Sequence, residues 1–480
     1  MNNNFLEEVE RSRIQTQAHI ADEKKKLAEQ YFTPVRISNI MSEMFTLHYG
    51  KTILTLDPCC GVGNLAASVV STSNYNGESQ HVTLVEKDSD LYSIAINNFS
   101  EFSDFDFINI DFFEWSDIDK LGKFDRVILN PPYAKIPSNS SLYKSLKHRL
   151  GYSETNIYSA FVSCCLNLLS DIGELVAIIP RSFCNGPTFR GFRDFILKDF
   201  FIHQLYLFES RKIFSESNVL QEVVIIKISK TPSKKTIISH ERLNGKTDSM
   251  MVGYDKIFFP SDHQKFIHIP LAVGDDELLS KVSKYRKNLL SLGLRASTGK
   301  VVDFRCEKLL QKNKSKSSVN LIYQDNIVEG GVLNLNVSDN SKKRHIKVCE
   351  ESRSILIPCG NYVLIRRISF KESPTRVVAT PILSKSISDS FIGIENHINY
   401  IWGEQTQLNE KICIAVFAYI STSTIDKYFR RFSGHTQINA TDLNSLPMPE
   451  LDELEAFGIK YSEYPFEELI ELADKVFFID

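Results

Sequence analysis

Residues 51–70 read KTILTLDPCCGVGNLAASVV. A short apolar run ends at Asp57, a Gly-x-Gly pair follows at Gly61 and Gly63, and NLAASVV then returns to helical spacing. Strand, glycine turn and helix in that order open a βαβ unit, where glycines let the backbone approach a ligand and the helix N-terminus is electropositive. By itself a Gly-x-Gly serves equally well as a tight structural turn. The alternation continues through HVTLVEKD (81–88), LYSIAINNF (91–99), FDFINIDF (105–112), FDRVILNPPY (124–133), NIYSAFVSCCLNLLS (156–170), ELVAIIP (174–180) and QEVVIIKIS (221–229). Short apolar runs alternating with helical stretches imply a doubly wound α/β domain with a mostly parallel sheet, predicted here over 31–235.

Outside that frame, residues 5–30 lack Gly and Pro and are rich in helix formers, so one N-terminal helical segment within 1–30 is expected. After SKTPSKK (229–235) the alternation gives way to short strands, turns and basic segments, and a second, mixed α+β domain is assigned to 236–480. The 480 residues suit two or three globular units, and a hydrophobic content of 42% excludes a disordered or fibrous chain. No stretch approaches the roughly 18 to 20 apolar residues of a membrane helix, and the N-terminus has no signal-peptide pattern, so a cytoplasmic chain without a membrane partner is expected. The nine cysteines include no C-x-x-C pair, which points to neither a metal site nor a disulfide framework; Cys59-Cys60 and Cys164-Cys165 are read as small packing residues.

A net charge of -3 conceals a division along the chain. Residues 1–230 carry 23 basic and 28 acidic side chains, 231–450 carry 31 and 22, and the last thirty carry 2 and 9. A basic block behind an acidic one fits a polyanion partner for the second half and fits a solvated surface equally well. The acidic end reads as a helical surface extension.

The second strand ends in Glu86, 23 residues after Gly63, close to the spacing at which a carboxylate meets ribose hydroxyls. Ala66 stands where a third glycine would complete the dinucleotide fingerprint, so another adenosine-containing cofactor is preferred to a nicotinamide dinucleotide. Asp111, after the third strand, is placed either to accept from an adenine amine or to cap a helix. Asn130-Pro131-Pro132-Tyr133 directly follows the apolar strand RVIL. Consecutive prolines fix φ and remove two donors, leaving the Pro131 carbonyl and the Asn130 carboxamide oxygen as two acceptors for one amino group, with Tyr133 as a stacking face.

With YFTP (31–34), DPCCGVG (57–63), Glu86, Asp111, NPPY (130–133) and VLQEVVIIK (219–227) in this order, the chain resembles the gamma class of DNA adenine-N6 methyltransferases of restriction systems. STGKVVDFR (297–305), ENHINYIW (395–402) and FRRFSGHTQINATDLNSLPMP (429–449) resemble the C-terminal target-recognition region of type II members. The resemblance implies a Rossmann-like methyltransferase domain, S-adenosylmethionine as cofactor, double-stranded DNA as substrate and a cognate restriction endonuclease as functional partner, with one molecule sufficient for each strand in turn. It also implies that Tyr31, Phe32, Thr33 and Pro34 close over the cofactor, that Asp57, Pro58, Gly61 and Gly63 form the methionine side, and that Glu86 and Asp111 hold ribose and adenine. Asn130, Pro131, Pro132 and Tyr133 would take the extruded adenine, with Phe214 as a second stacking aromatic.

In the basic half, Lys300, Arg305, Arg366, Arg367, Arg430, Arg431 and His435 are candidates for phosphate or guanine edges, and Gln437 and Asn439 for adenine. Most such contacts go to backbone rather than base. TDLNSLPMP is equally suited to packing back on the body. NPPY also occurs in RNA-base and protein-glutamine methyltransferases, and a catalytic subunit with a separate specificity subunit or a non-catalytic DNA-binding protein are further readings; the long basic second half favours an enzyme that carries its own reader.

Overall fold

The computed structural model describes residues 2–19, 32–48, 50–115, 117–120, 122–210, 222–259, 262, 264–270, 274–337, 342–369, 373–432 and 437–479. Tyr31, Phe214, His435 and the Arg431 side chain therefore lie outside the described residues. The chain forms two compact units, Met1–Phe183 with Thr188–Ile257, and Cys184–Pro187 with Phe258–Asp480.

The first unit is built on a nine-stranded sheet of order β3-β2-β1-β4-β5-β7-β6-β8-β9. Its strands are β1 (Ile53–Asp57), β2 (Gln80–Glu86), β3 (Phe105–Asn109), β4 (Phe124–Leu129), β5 (Leu169–Pro180), β6 (Phe201–Phe208), β7 (Val223–Ser229), β8 (Lys235–Glu241) and β9 (Thr247–Gly253). From β3 to β5 all pairings are parallel, and β7 inserts antiparallel between β5 and β6. Strands such as VVIIKIS are buried along their whole length, as apolar runs covered on both faces must be. The order reverses between β1 and β4, the switch point where open α/β sheets leave a crevice at the strands' carboxyl ends.

Two boundaries differ from the sequence expectation. The first unit extends to Ile257 because β8 runs parallel to β6 and β9 closes the edge, so the mixed strands after 235 continue the same sheet. The N-terminal helix, described as α1 (Asn2–His19), is part of the first unit's core: Val9 is buried with Val70, Leu84 and Phe99, and Phe5 meets the Phe99 ring edge-on at 5.5 Å.

The second unit holds a four-stranded antiparallel sheet and a five-stranded sheet in which the strand Ser318–Ile322 lies between His345–Lys347 and Phe391–Ile394. Helices over Glu410–Ile420, Leu451–Tyr461 and Phe466–Phe478 share one apolar core with the four-stranded sheet. The acidic end is therefore not a surface extension: Leu454, Phe457, Leu469 and Phe477 are buried in that core, and the carboxylates occupy the outer faces. Leu443, Leu446 and Met448 are buried as well, and Asn444 hydrogen-bonds both backbone groups of Ala296, so TDLNSLPMP packs back on its own unit. No helix among the described residues is long and apolar enough to cross a membrane.

Candidate active site at the carboxyl ends of the parallel strands

Backbone conformation sets the first wall. Gly61 (φ +56°) and Gly63 (φ +87°) both adopt the left-handed region that favours glycine. A Cβ on Gly61 would stand 3.1 Å from the Phe32 ring, and one on Gly63 would stand 2.4 Å from the Phe99 ring. Only Gly61 lines the cavity. Gly63 instead begins the helix Asn64–Tyr75 and lets it sit against Phe99, a packing role rather than a ligand contact.

Glu86 ends β2 beside this turn, 5% exposed. Its Oε2 accepts the Gly61 N–H at 2.9 Å and its Oε1 the Asp88 N–H at 2.8 Å. Burial pushes this carboxyl above its ordinary value, and the two N–H donors pull it back. Asp57 is fully enclosed beneath the turn and does not line the cavity. Its Oδ1 accepts from the Cys59 N–H at 3.3 Å, its Oδ2 has no partner among the described residues, and desolvation raises its carboxyl to about 8. Pro58 and Cys59 line the cavity in its place, so Cys59 is more than the packing residue the sequence suggested.

Asp111 combines a place in the cavity wall with a capping bond. It lines the cavity, and its Oδ1 caps the short 3-10 turn Phe112–Glu114 by accepting the Phe113 N–H at 3.0 Å. An apolar wall stands beside it, where Phe112 stacks on Phe161 at 4.9 Å and Phe113 meets the same ring edge-on at 4.7 Å.

Asn130 and Pro132 line the same cavity, the Asn130 carbonyl 3.6 Å from the Cys59 thiol. Thr33 and Phe32 close the same cavity, whereas Pro34 serves as the N-cap of the helix Val35–Glu43. Asn130 Nδ2 donates to Thr33 Oγ1 at 3.0 Å, and Asn64 Nδ2 donates to the Thr33 carbonyl at 2.6 Å. Tyr133 departs from expectation. Its ring is buried against Tyr158, its hydroxyl donates to Asn130 Oδ1 at 3.1 Å and lies 3.3 Å from the Ile178 carbonyl, and it does not line the cavity. Tyr133 therefore braces the Asn130 carboxamide from behind instead of presenting a free face. Pro131 is likewise buried. Asn64, Cys59 and Phe161 are cavity residues that the sequence reading missed; Asn64, first in the helix after the glycine turn, was the one with a local signal.

The candidate DNA contacts separate sharply. Arg366 donates from Nε to the Ile327 carbonyl at 2.8 Å, Arg367 from Nη1 to the Asn396 carbonyl at 3.2 Å, and Arg430 pairs with Asp426 at 2.6 Å while donating to the Ser373 and Pro374 carbonyls. Asn439 caps the helix Ala440–Asn444 through a reciprocal bond with Asp442. These four hold their own unit's loops together. Gln437 is half-buried beside a backbone bridge to Ile368. Lys300 and Arg305 are exposed, Arg305 over the Phe304 ring at 5.6 Å, and Phe304 itself is 75% exposed.

A doubly wound sheet whose switch-point cavity joins a glycine turn, a second-strand carboxylate and an Asn-Pro-Pro-Tyr loop defines the Rossmann-like methyltransferase class. Residues 40–214 match the family model described as Eco57I restriction-modification methylase. Over 477 residues the chain is 35% identical to the type II methyltransferase M.BsuBI of Bacillus subtilis, covering 95% of this chain and 93% of that one. It is 32% identical to the type II methyltransferase M.PstI of Providencia stuartii, over 93% and 92% of the two chains. The solved structure of the type IIL restriction-modification enzyme MmeI in complex with DNA shares the fold at a TM-score of 0.51 with 12% identity, over 99% of this chain and 74% of that one. The chain belongs to the type II methyltransferases of restriction-modification systems, and is thus a DNA methyltransferase.

Proposed function

We propose that the chain transfers a methyl group from S-adenosylmethionine to N6 of an adenine rotated out of a short double-stranded DNA site, as a gamma-class enzyme, protecting host DNA from a partner restriction endonuclease. The observation that carries this reading is the single cavity joining Gly61, Glu86 and Asp111 to Asn130. A nucleoside carrying a charged sulfur side arm needs a carboxylate for its ribose, an acceptor for its base amine and apolar walls for its ring, and all three are present.

S-adenosylmethionine, when bound, supplies an electrophilic methyl group with its own leaving group, so the protein's task is orientation. Glu86 takes the ribose hydroxyls with the lone pairs that Gly61 and Asp88 leave. Asp111 uses its second oxygen for the adenine amine, since Oδ1 is committed to the turn. Asn130 Oδ1, oriented by the Tyr133 hydroxyl, is the acceptor for an N6 hydrogen of the target base. The Pro131 carbonyl accepts the second hydrogen. Drawing on both hydrogens raises electron density at N6 and turns its lone pair toward the methyl group. Extruding the base costs a few kcal/mol, which contacts in the bound state must offset.

The test is nucleoside analysis of plasmid DNA from cells expressing the chain. N6-methyladenine is expected, and it disappears with Asn130→Ala while duplex affinity is kept. A methylated cytosine as the product would overturn the adenine reading.

A further inference from the structure

The surplus of cations in the second unit is not accounted for by the residues that resemble a recognition region, because Arg366, Arg367 and Arg430 are tied to carbonyls and a carboxylate of their own loops. A cleft of about 570 Å³ on the strands Ser318–Ile322 and His345–Lys347 provides a different place for it. Its lining includes Lys312, Lys342, Arg344, Asn313, Asn320 and Asn336 and, among the described residues, no carboxylate. Two acids adjoin it among the described residues: Asp325, whose Oδ2 accepts from Lys342 at 3.0 Å and from Arg344 at 2.9 Å, and Asp389, which accepts the Asn320 N–H at 3.1 Å and pairs with Lys314 at 2.7 Å. With Asp325 shared by two cations and Asp389 matched by Lys314, basic side chains outnumber acids around the cleft among the described residues. Lys312, exposed at the rim, has no ion pair among the described residues and adds to that excess.

Two further features distinguish the cleft from a solvated basic face. Tyr323 lies under both inner cations, with Lys342 4.9 Å and Arg344 5.7 Å from its ring, so their heads are held in place before any ligand arrives. The carboxamides of Asn313, Asn320 and Asn336 make no hydrogen bond among the described residues, and those of Asn313 and Asn336 are exposed. Fixed cations beside uncommitted carboxamides match a duplex, which offers phosphates to Lys and Arg and adenine edges to Asn.

Taking the chain as a DNA-acting enzyme, we propose that this cleft is a duplex-contacting surface of the second unit, with Lys312 and Lys342 on phosphates and Asn313 and Asn336 at base edges. The experiment titrates the full chain, Lys312→Ala and Asn336→Ala with two labelled duplexes, one carrying the sequence the parent methylates and one lacking it, between about 50 and 200 mM salt. Lys312→Ala is expected to weaken both duplexes by the same factor and to flatten the slope of log affinity against log salt by about 0.9. Asn336→Ala is expected to weaken only the methylated sequence, roughly 10- to 100-fold, with the slope kept. Both residues are exposed, so folding is not at stake. Unaltered slopes and affinities in both variants overturn the proposal. The slope on non-specific duplex needs no turnover, so a failure of the adenine-N6 reading, seen in the product, is separable from a failure of the cleft.

Discussion

The Asn130 side-chain amide donates to Thr33 Oγ1 at 3.0 Å, across 97 residues of sequence. With Tyr133 donating to the same carboxamide's oxygen, the group is held at both ends and its orientation in the cavity wall is set by the fold itself.

Thr33→Val removes that acceptor. Losing one hydrogen bond of about 1 kcal/mol predicts a fall of roughly fivefold in kcat with duplex affinity unchanged, and recovery in Thr33→Ser. Tyr133→Phe keeps the ring and removes the other brace, so it is expected to behave alike. Single-turnover methylation beside duplex titration measures both; equal losses in kcat and DNA binding would count against a positioning role.

Glu86→Gln replaces one of two charged acceptors at the cavity wall. Hydrogen bonds to a charged group are worth about 1.5 to 3 kcal/mol, so S-adenosylmethionine should bind roughly 10- to 100-fold more weakly by calorimetry, with duplex affinity kept. An unchanged donor affinity would sink the ribose assignment.

Gly63→Ala meets two penalties, the left-handed φ of +87° and a Cβ 2.4 Å from Phe99, whereas Gly77→Ala at φ +73° meets only open space. Losses of about 3 and about 1 kcal/mol in chemical unfolding are expected respectively. Similar losses would mean that the helix shifts away from Phe99 at little cost.

Asp57 supplies a pH dependence. In the unfolded chain it ionises near 3.8, whereas folded it holds its proton to about 8, so between those values the native state binds more protons and stability falls as pH rises. Asp57→Asn removes this slope. The variant should gain thermal stability relative to the parent at pH 8 compared with pH 4.5, and a constant offset across that range would refute the buried neutral carboxyl.

What the sequence determined by itself was everything with a local physical signature. Period and length of the apolar runs specify strands and helices, a left-handed turn selects Gly61 and Gly63, and a Pro-Pro pair fixes the loop after β4 whatever surrounds it. These sufficed for the doubly wound sheet and for the order of the site's walls. Tertiary structure alone decided what each side chain faces. Periodicity says that Tyr133 and Phe161 are partly apolar, yet only packing puts one behind Asn130 and the other in the cavity wall. Charge says that Arg366 and Lys312 are cations, yet only the fold gives the first a carbonyl to satisfy and leaves the second at an open rim. The same holds for the acidic C-terminal helices, whose apolar faces found a core that their composition concealed. Local rules fix backbone conformation because they act within a few residues; the partner of a side chain such as Asn130 or Arg366 is set by chain segments tens of residues away.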